Sequence, residues 1–324
     1  MSQPTKIARR LFLAGAAAPL LARAARAQPG APLRIVVPFT AGGLTDLLAR
    51  RVADGMSRNL GVPVIVDNRP GAAGIPAILS LRGVPADGNT LYMTYLGPHA
   101  ANASLYASLP YDPVKDFTPV GAVADSPLTL CVTPGMAARN LAELIAYAKA
   151  NPGRLNFASV GNGSPSHLAL ELFKLQAGVN IVHVPYRGTA QVAPDLLTGV
   201  VDGYFDPAAT ATPNLQSGQI RAFGVASDKR LPQFPSVPTM AEAGLDFRFS
   251  TWFGLVAAGQ VPAARRDELN AGLNRIVGAP DFAAWCEGLS LRPLPGSAED
   301  FRRFMAEETD RLGRVVRSAN IRLE

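Results

Sequence analysis

The chain has 324 residues, 48% hydrophobic and 17% charged, which fits a globular protein of two lobes and excludes a disordered chain. Its formal charge is +6, but residues 1–27 carry five of the 31 basic side chains (Lys6, Arg9, Arg10, Arg23 and Arg26) and no acid. The remaining 297 residues hold 26 basic against 25 acidic groups, so the basic character belongs to the leader and argues against a nucleic-acid partner.

The leader has the three regions of an export signal in order: a basic start, an apolar run from Leu11 to Ala22, and the small-x-small site Ala25-Arg26-Ala27 before Gln28. Arg9-Arg10-Leu11-Phe12-Leu13 resembles the twin-arginine export motif. The alternative is an amphipathic first helix. The apolar run is too short to span a bilayer, and no later stretch reaches eighteen apolar residues. The expectation is a soluble periplasmic protein cleaved near Ala27/Gln28. Cys131 and Cys286 stand in no metal-ligand spacing, and the sequence leaves their pairing open. His99, His167 and His183 are too scattered for a zinc motif, so no metal is expected.

Beyond the leader, Leu33–Pro38 reads as a buried parallel strand, and the turn FTAGG opens a helix with Leu44, Leu47, Leu48, Val52 and Met56 on one face. A strand at 62–67, a helix at 75–81 and a strand at 91–95 follow, an order that argues for a parallel sheet covered by helices. Residues 97–126 read as loop-rich. The pattern then restarts: a strand at 128–132, a helix at 141–150, a strand at 155–160, a helix at 167–176, a strand at 181–184 and a helix at 191–198. Short strands are predicted near 201–205 and 220–226, a Pro-rich break after them, and a strand over 247–257. Two amphipathic helices finish the chain, the last with a capping box formed by Ser297 and Asp300.

One theme occurs three times: an apolar strand, a glycine-containing turn and a helix start. In an open α/β sheet, ligands sit beyond the carboxyl ends of strands, where unpaired helix-start N–H groups favour an anion. The first loop, Phe39, Thr40, Ala41, Gly42, Gly43, Leu44, Thr45 and Asp46, offers glycines for close approach and two threonine hydroxyls. It reads equally as a tight turn with Thr45 as helix cap. The second loop is Gly161, Asn162, Gly163, Ser164, Pro165, Ser166 and His167. Ser166 replaces the third glycine of a dinucleotide fingerprint, and the next strand lacks the acidic residue for a ribose, so no nicotinamide or flavin cofactor is expected. A hydrolase using Ser164 and His167 is the rival reading, but no nucleophile elbow or third orienting group accompanies them. The third loop holds Arg187, Gly188, Thr189 and Ala190, and Asp206 either meets a ligand or caps a turn.

The segments IVVPFTAGGLTDLLAR, VDNRPGAAG, ADGNTLYM, LPYDPVKDFTPVG, LAELIAYAKANPGRLNFASVGNGSPSHLALELF, HVPYRGTAQVAPDLLTG and VPTMAEAG carry a resemblance, from about Arg34 to the end. In order and spacing they resemble the Bug-type, or tripartite tricarboxylate transporter, substrate-binding proteins. The resemblance implies an α/β fold of the two-lobed periplasmic Venus-flytrap kind (type II-like), with no catalytic activity. It implies a small organic acid in the cleft, gripped by Phe39–Asp46 from one lobe and by Gly161–Ser166 and Gly188–Ala190 from the other, with Asp206 nearby. Leu44 stands where many relatives carry a small residue. The expected lobes are residues 28–127 with 253–324, and 128–252. Expected partners are the integral membrane subunits of such a transporter, or a membrane sensor kinase to which the ligand is presented, and the protein itself is expected to be a monomer.

Overall fold

The computed structural model describes residues 31–71, 74–186 and 188–323; the leader and Arg187 lie outside the described residues. The chain begins with β1 (Leu33–Val37), α1 (Leu44–Leu60), β2 (Val64–Asn68), α2 (Ile75–Leu79) and β3 (Thr90–Tyr95). β1 pairs in parallel with both β2 and β3, as the alternating strand and helix pattern predicts. Alternate β1 residues Leu33, Ile35 and Val37 face Leu48, Val52 and Met56 of α1, all fully buried. Each such side chain contributes roughly 1.5–3 kcal/mol by leaving water, so Val52→Asp would break this layer.

Residues 97–126 depart from the predicted loop. A π-helical turn at Gly97–Ala101 and α3 (Asn102–Leu105) lead to β4 (Phe117–Val132), sixteen residues long. The first half of β4 is hidden in the sequence because Pro119, Gly121 and the alanines around residue 123 disrupt the usual strand pattern. They fall where the register shifts against its partner strand, at positions 119–121 and 122–124, and such irregularities admit proline and glycine.

The chain continues through α4 (Leu141–Ala150), β5 (Asn156–Ser159), α5 (Pro165–Ala177), β6 (Val182–Pro185), α6 (Thr189–Thr198), β7 (Gly203–Pro207), α7 (Ala208–Gln216) and β8 (Arg221–Val225). Helix α7 lies where two strands are predicted to follow one another directly; its threonines and Pro213 conceal it. β9 (Ser250–Ala258), α8 (Ala263–Val277), α9 (Pro280–Gly288), the short β10 (Arg292–Pro293) and α10 (Ala298–Ser318) complete it. The predicted capping box at Ser297 and Asp300 is present.

The strand order is β2-β1-β3-β9-β4-β7-β5-β6, with β8 and β10 also on β4. β4 belongs to two sheets. Its first half runs antiparallel to β9, up to the pair Pro127 and Ser250. Its second half, from Leu128, runs antiparallel to β7 and β8. At the junction the Leu128 N–H donates to the Phe249 carbonyl (2.9 Å), and the Ala226 N–H donates to the Leu128 carbonyl (2.8 Å). The Phe249 N–H in turn reaches the Ala226 carbonyl at 3.0 Å, so outgoing and returning chains are cross-tied. Beside the junction, Asp125 is held by Arg292 and the buried Trp252 indole donates to Glu308 (3.2 Å).

Each sheet is covered on both faces. The first packs α1 and α8 on one side, and on the other Trp252 and Val256 meet Phe301, Met305 and Leu312 of α10. In the second, Phe157 and Phe205 face Leu168 and Phe173 of α5, while Cys131, Ala158 and Tyr204 face Val192 and Leu196 of α6 and Ala211 of α7. Both cysteines are buried and free.

Candidate functional site

The carboxyl ends of β1 and β3 lie at the edge of the first sheet nearest the junction, because β3 ends opposite Phe253, three residues into β9. The carboxyl ends of β5, β6 and β7 lie at the facing edge of the second sheet, because Pro207 pairs with Leu128. The three glycine loops therefore open toward one another across the crossing strands, the arrangement in which open α/β sheets bind ligands.

In the first loop, Phe39, Thr40, Ala41, Gly42 and Gly43 form an exposed crest, while Thr45 and Asp46 are buried beneath it. Phe39 leans on Tyr95 with ring centroids 5.1 Å apart. Gly42 takes φ +87°, a left-handed conformation that glycine adopts without cost. Gly43 is the N-cap of α1, and no side chain caps that helix. A glycine here leaves the first-turn N–H groups for an outside acceptor. Asp46 is turned inward: it accepts from the Gly42 N–H (2.9 Å), Arg50 Nε (2.9 Å) and Asn68 Nδ2 (2.9 Å). Burial opposes ionisation of this carboxyl, yet the bonds from Arg50, Gly42 and Asn68 outweigh it and hold it below the usual range. Asn68 also donates to the Phe39 carbonyl (3.0 Å), so both ends of the crest are tied through one side chain. Asp46 thus organises the loop from within.

In the second loop, Asn162 is exposed, Gly161, Gly163 and Ser164 are half-buried, and Ser166 and His167 are buried. Ser164 caps α5 by accepting from the His167 N–H, and its hydroxyl lies 3.1 Å from that of Ser166. His167 Nδ1 accepts from the Gly163 N–H (3.0 Å), and the ring stacks on His183 at 3.8 Å. Burial first, then His183 and Lys174, lower His167 to about 3; burial and Lys174 lower His183 to about 4. Both rings are neutral at physiological pH. The Ser164–His167 hydrolase pair is not assembled, since the imidazole nitrogen facing the loop is occupied by a backbone N–H rather than a serine hydroxyl.

In the third loop, Gly188 is the N-cap of α6, again without a side-chain cap, and Thr189 and Ala190 form the first turn. The Tyr204 phenol interacts with the side chains of Thr189 and Ser166, which only partly offset the effect of its burial, and so it stands between the second and third loops. Asp206 follows on the same face of β7, buried, with Thr210 Oγ1 donating to its Oδ1. Burial raises its carboxyl to about 7, which the Thr210 bond only partly offsets.

The lobes also touch. A Cβ on Gly163 would stand 2.8 Å from Leu105 and 2.9 Å from Leu323, both attached to the first sheet's side. The Thr212 and Ser290 hydroxyls are 2.7 Å apart, and the Ala209 N–H donates to Ser126 Oγ (3.3 Å). Asn68, Tyr204 and Ser126 are not singled out by the sequence, and His183 is weighed there only as a metal ligand. Asn68 and His183 lie at strand ends inside the quoted segments; Tyr204 reads there as an ordinary core aromatic, and nothing in the sequence marks Ser126. Among the described residues no cluster of His, Cys, Asp and Glu is arranged to hold a metal ion.

Comparison with known proteins adds a family. Residues 48–321 match the family described as "Tripartite tricarboxylate transporter family receptor". Rpa4515 of R. palustris, solved with adipate, is 36% identical, with a TM-score of 0.82 over 91% of this chain and 99% of that one. MatC of Rhodopseudomonas palustris, solved with malate, is 32% identical, with a TM-score of 0.77 over 89% and 99%. The periplasmic binding protein BugD is 31% identical, with a TM-score of 0.78 over 91% and 100%.

Proposed function

The chain belongs to the tripartite tricarboxylate transporter receptor family, a family of binding proteins rather than enzymes, and from that membership we propose that it captures a small dicarboxylate between its two lobes. The proposed lobes are residues 28–127 with 253–324, and 128–252; the switch of β4 from one sheet to the other at Leu128 supports the first boundary, while β9 joins the first sheet from Ser250. The observation that carries the reading is the pair of glycine-capped helix starts, Gly43 of α1 and Gly188 of α6, at facing sheet edges. A glycine N-cap leaves first-turn N–H donors that a serine or aspartate would occupy, and the helix dipole adds partial positive charge. Phe39–Gly43 and Thr45 grip one carboxylate, and Gly161–Ser164 with Gly188–Ala190 grip the other end. Closure is favoured by contacts that exist only when both lobes touch the ligand.

Adipate and malate in related structures give the ligand class. The periplasm is the proposed site of action, matching BugD and the export-signal reading of the leader. No helix among the described residues is long and apolar enough to cross a membrane. Delivery of the ligand from the closed form to the integral membrane subunits of a tripartite tricarboxylate-type transporter is part of the same proposal. Thermal unfolding of protein stripped by denaturation and refolding tests the reading against mono-, di- and tricarboxylates. A ligand at about a hundred times its Kd adds roughly 2.7 kcal/mol. A selective shift with dicarboxylates is expected; no shift with any carboxylate overturns the reading.

A further inference from the structure

Asp206 is a paradox within that reading. Beside the proposed anion site its carboxyl stands one residue from the end of β7, at the sheet edge that faces the first lobe, 5% exposed, with no compensating cation among its electrostatic partners in the described residues. Its only bonded partner there is the Thr210 hydroxyl, on Oδ1, which leaves Oδ2 without one. Directly across the antiparallel pair stands Thr129, fully buried, whose hydroxyl has no hydrogen-bond partner among the described residues. An ionised Asp206 in this place would repel an incoming carboxylate at short range and in low dielectric. A neutral acid would instead offer an O–H donor, adding to the backbone N–H and hydroxyl donors of which the rest of the site is built.

We propose that Asp206 enters the bound state as the neutral acid and donates its Oδ2 proton in a hydrogen bond to a ligand carboxylate, so that binding to the ionised protein takes one proton from solvent. The inference rests on the proposed carboxylate-binding function and adds to it a coupling between affinity and pH. The groups facing Asp206 leave that coupling readable. From β7 comes Tyr204 and from β4 come Cys131 and Thr129; burial holds both the phenol and the thiol far above their ordinary values, so they stay neutral. From α7 comes Thr210, which does not titrate. The chain has three histidines, and burial lowers His99 and His167 to about 3 and His183 to about 4. The free carboxyl itself sits near 7. Above that value the wild-type protein must be reprotonated to bind, and affinity falls by about tenfold per pH unit for one coupled proton.

The test is calorimetric titration with adipate as the probe, at pH 6 to 9, in Hepes and in Tris, whose different ionisation enthalpies report the protons taken up. Wild type is expected to take up close to one proton per adipate at pH 8.5 and to bind at least tenfold more weakly there than at pH 6. Asp206→Asn keeps an N–H donor but cannot titrate; it is expected to take up none and to hold its affinity across the range. Thr210→Val removes the bond that favours ionisation, and should move the onset of wild-type weakening to higher pH. Adipate binding without proton uptake overturns this inference and leaves the parent reading standing. So does an Asp206→Asn variant that folds but has lost adipate at every pH, because the carboxylate would then be an acceptor. If neither wild type nor Asp206→Asn binds adipate even at pH 6, the dicarboxylate reading is overturned, and this one with it.

Discussion

The contact between Gly163 and the first lobe allows closure to be weighed. Gly163 has φ +73°, and an added Cβ would come within 2.8 Å of Leu105 Cδ1 and 2.9 Å of Leu323 Cδ1. Two costs follow from Gly163→Ala. The left-handed backbone costs about 1–2 kcal/mol wherever the lobes are. The clash is added only when the lobes are together, and overpacking of this order costs about 1–3 kcal/mol. Leucine methyl ends can yield, which places the second term toward the lower figure, about 1.4 kcal/mol, or tenfold in an equilibrium constant. Gly178→Ala supplies the reference: φ is +64° and nothing lies within 4 Å, so it carries the backbone cost alone. Both variants should lose similar stability in urea without ligand. Only Gly163→Ala should weaken binding of adipate, by about tenfold, and enlarge the radius of gyration in solution scattering at subsaturating ligand. Equal adipate affinity in the two variants would refute the idea that this contact belongs to the closed form.

Asp206→Asn should also alter stability. Folding raises the carboxyl from 3.8 to about 7, so the native state retains a proton that the unfolded chain releases across that window. Wild-type stability therefore falls as pH rises from 4 to 7, by at most about 4 kcal/mol; the variant should be the more stable at pH 8 and lose that advantage near pH 4, as urea titrations would show. Asp46→Ala removes the acceptor of the Gly42 N–H and of one of the two Asn68 amide bonds and frees Arg50, which is half exposed and contributes little; a cost of about 1–2 kcal/mol in urea unfolding is expected. Because the Asp46 carboxyl is held below its ordinary value, the stability it adds is present at neutral pH and disappears as pH falls through the folded-state value, on the acid limb. Burial raises both thiols, Cys286 to about 12, so a disulfide-exchange reagent should titrate no cysteine in the native protein and two after denaturation.

Much of this fold was legible because periodicity and burial agree. The run LRIVV, the stripe Leu48, Val52 and Met56, and the Ser297–Asp300 cap each specify one local structure, and each is observed. The missed elements are those where local preference and tertiary pairing disagree. The front of β4 carries two prolines and a glycine that only a neighbouring β9 makes tolerable, and α7 is a helix of alanine and threonine with Pro213 inside. The glycine loops were legible as loops, since a turn after an apolar strand needs few residues to announce itself. The direction of the acidic groups was not. Asp46 and Asp206 both follow a loop or strand end in sequence, yet one is surrounded by donors and the other by a single hydroxyl, a difference set by Arg50, Asn68 and Thr210 in space.

The double membership of β4 and the late arrival of β9 have a consequence for how the protein is made. A ribosome that has released residue 225 has supplied every strand of the second sheet, including its share of β4. The first sheet at that moment has a gap between β3 and β4, which β9 fills only when residue 258 has emerged. The lobe that begins first is thus the last to finish. Through that interval two bare strand edges wait for one segment, and they are the places where a chaperone, or a neighbouring nascent chain, would meet this protein.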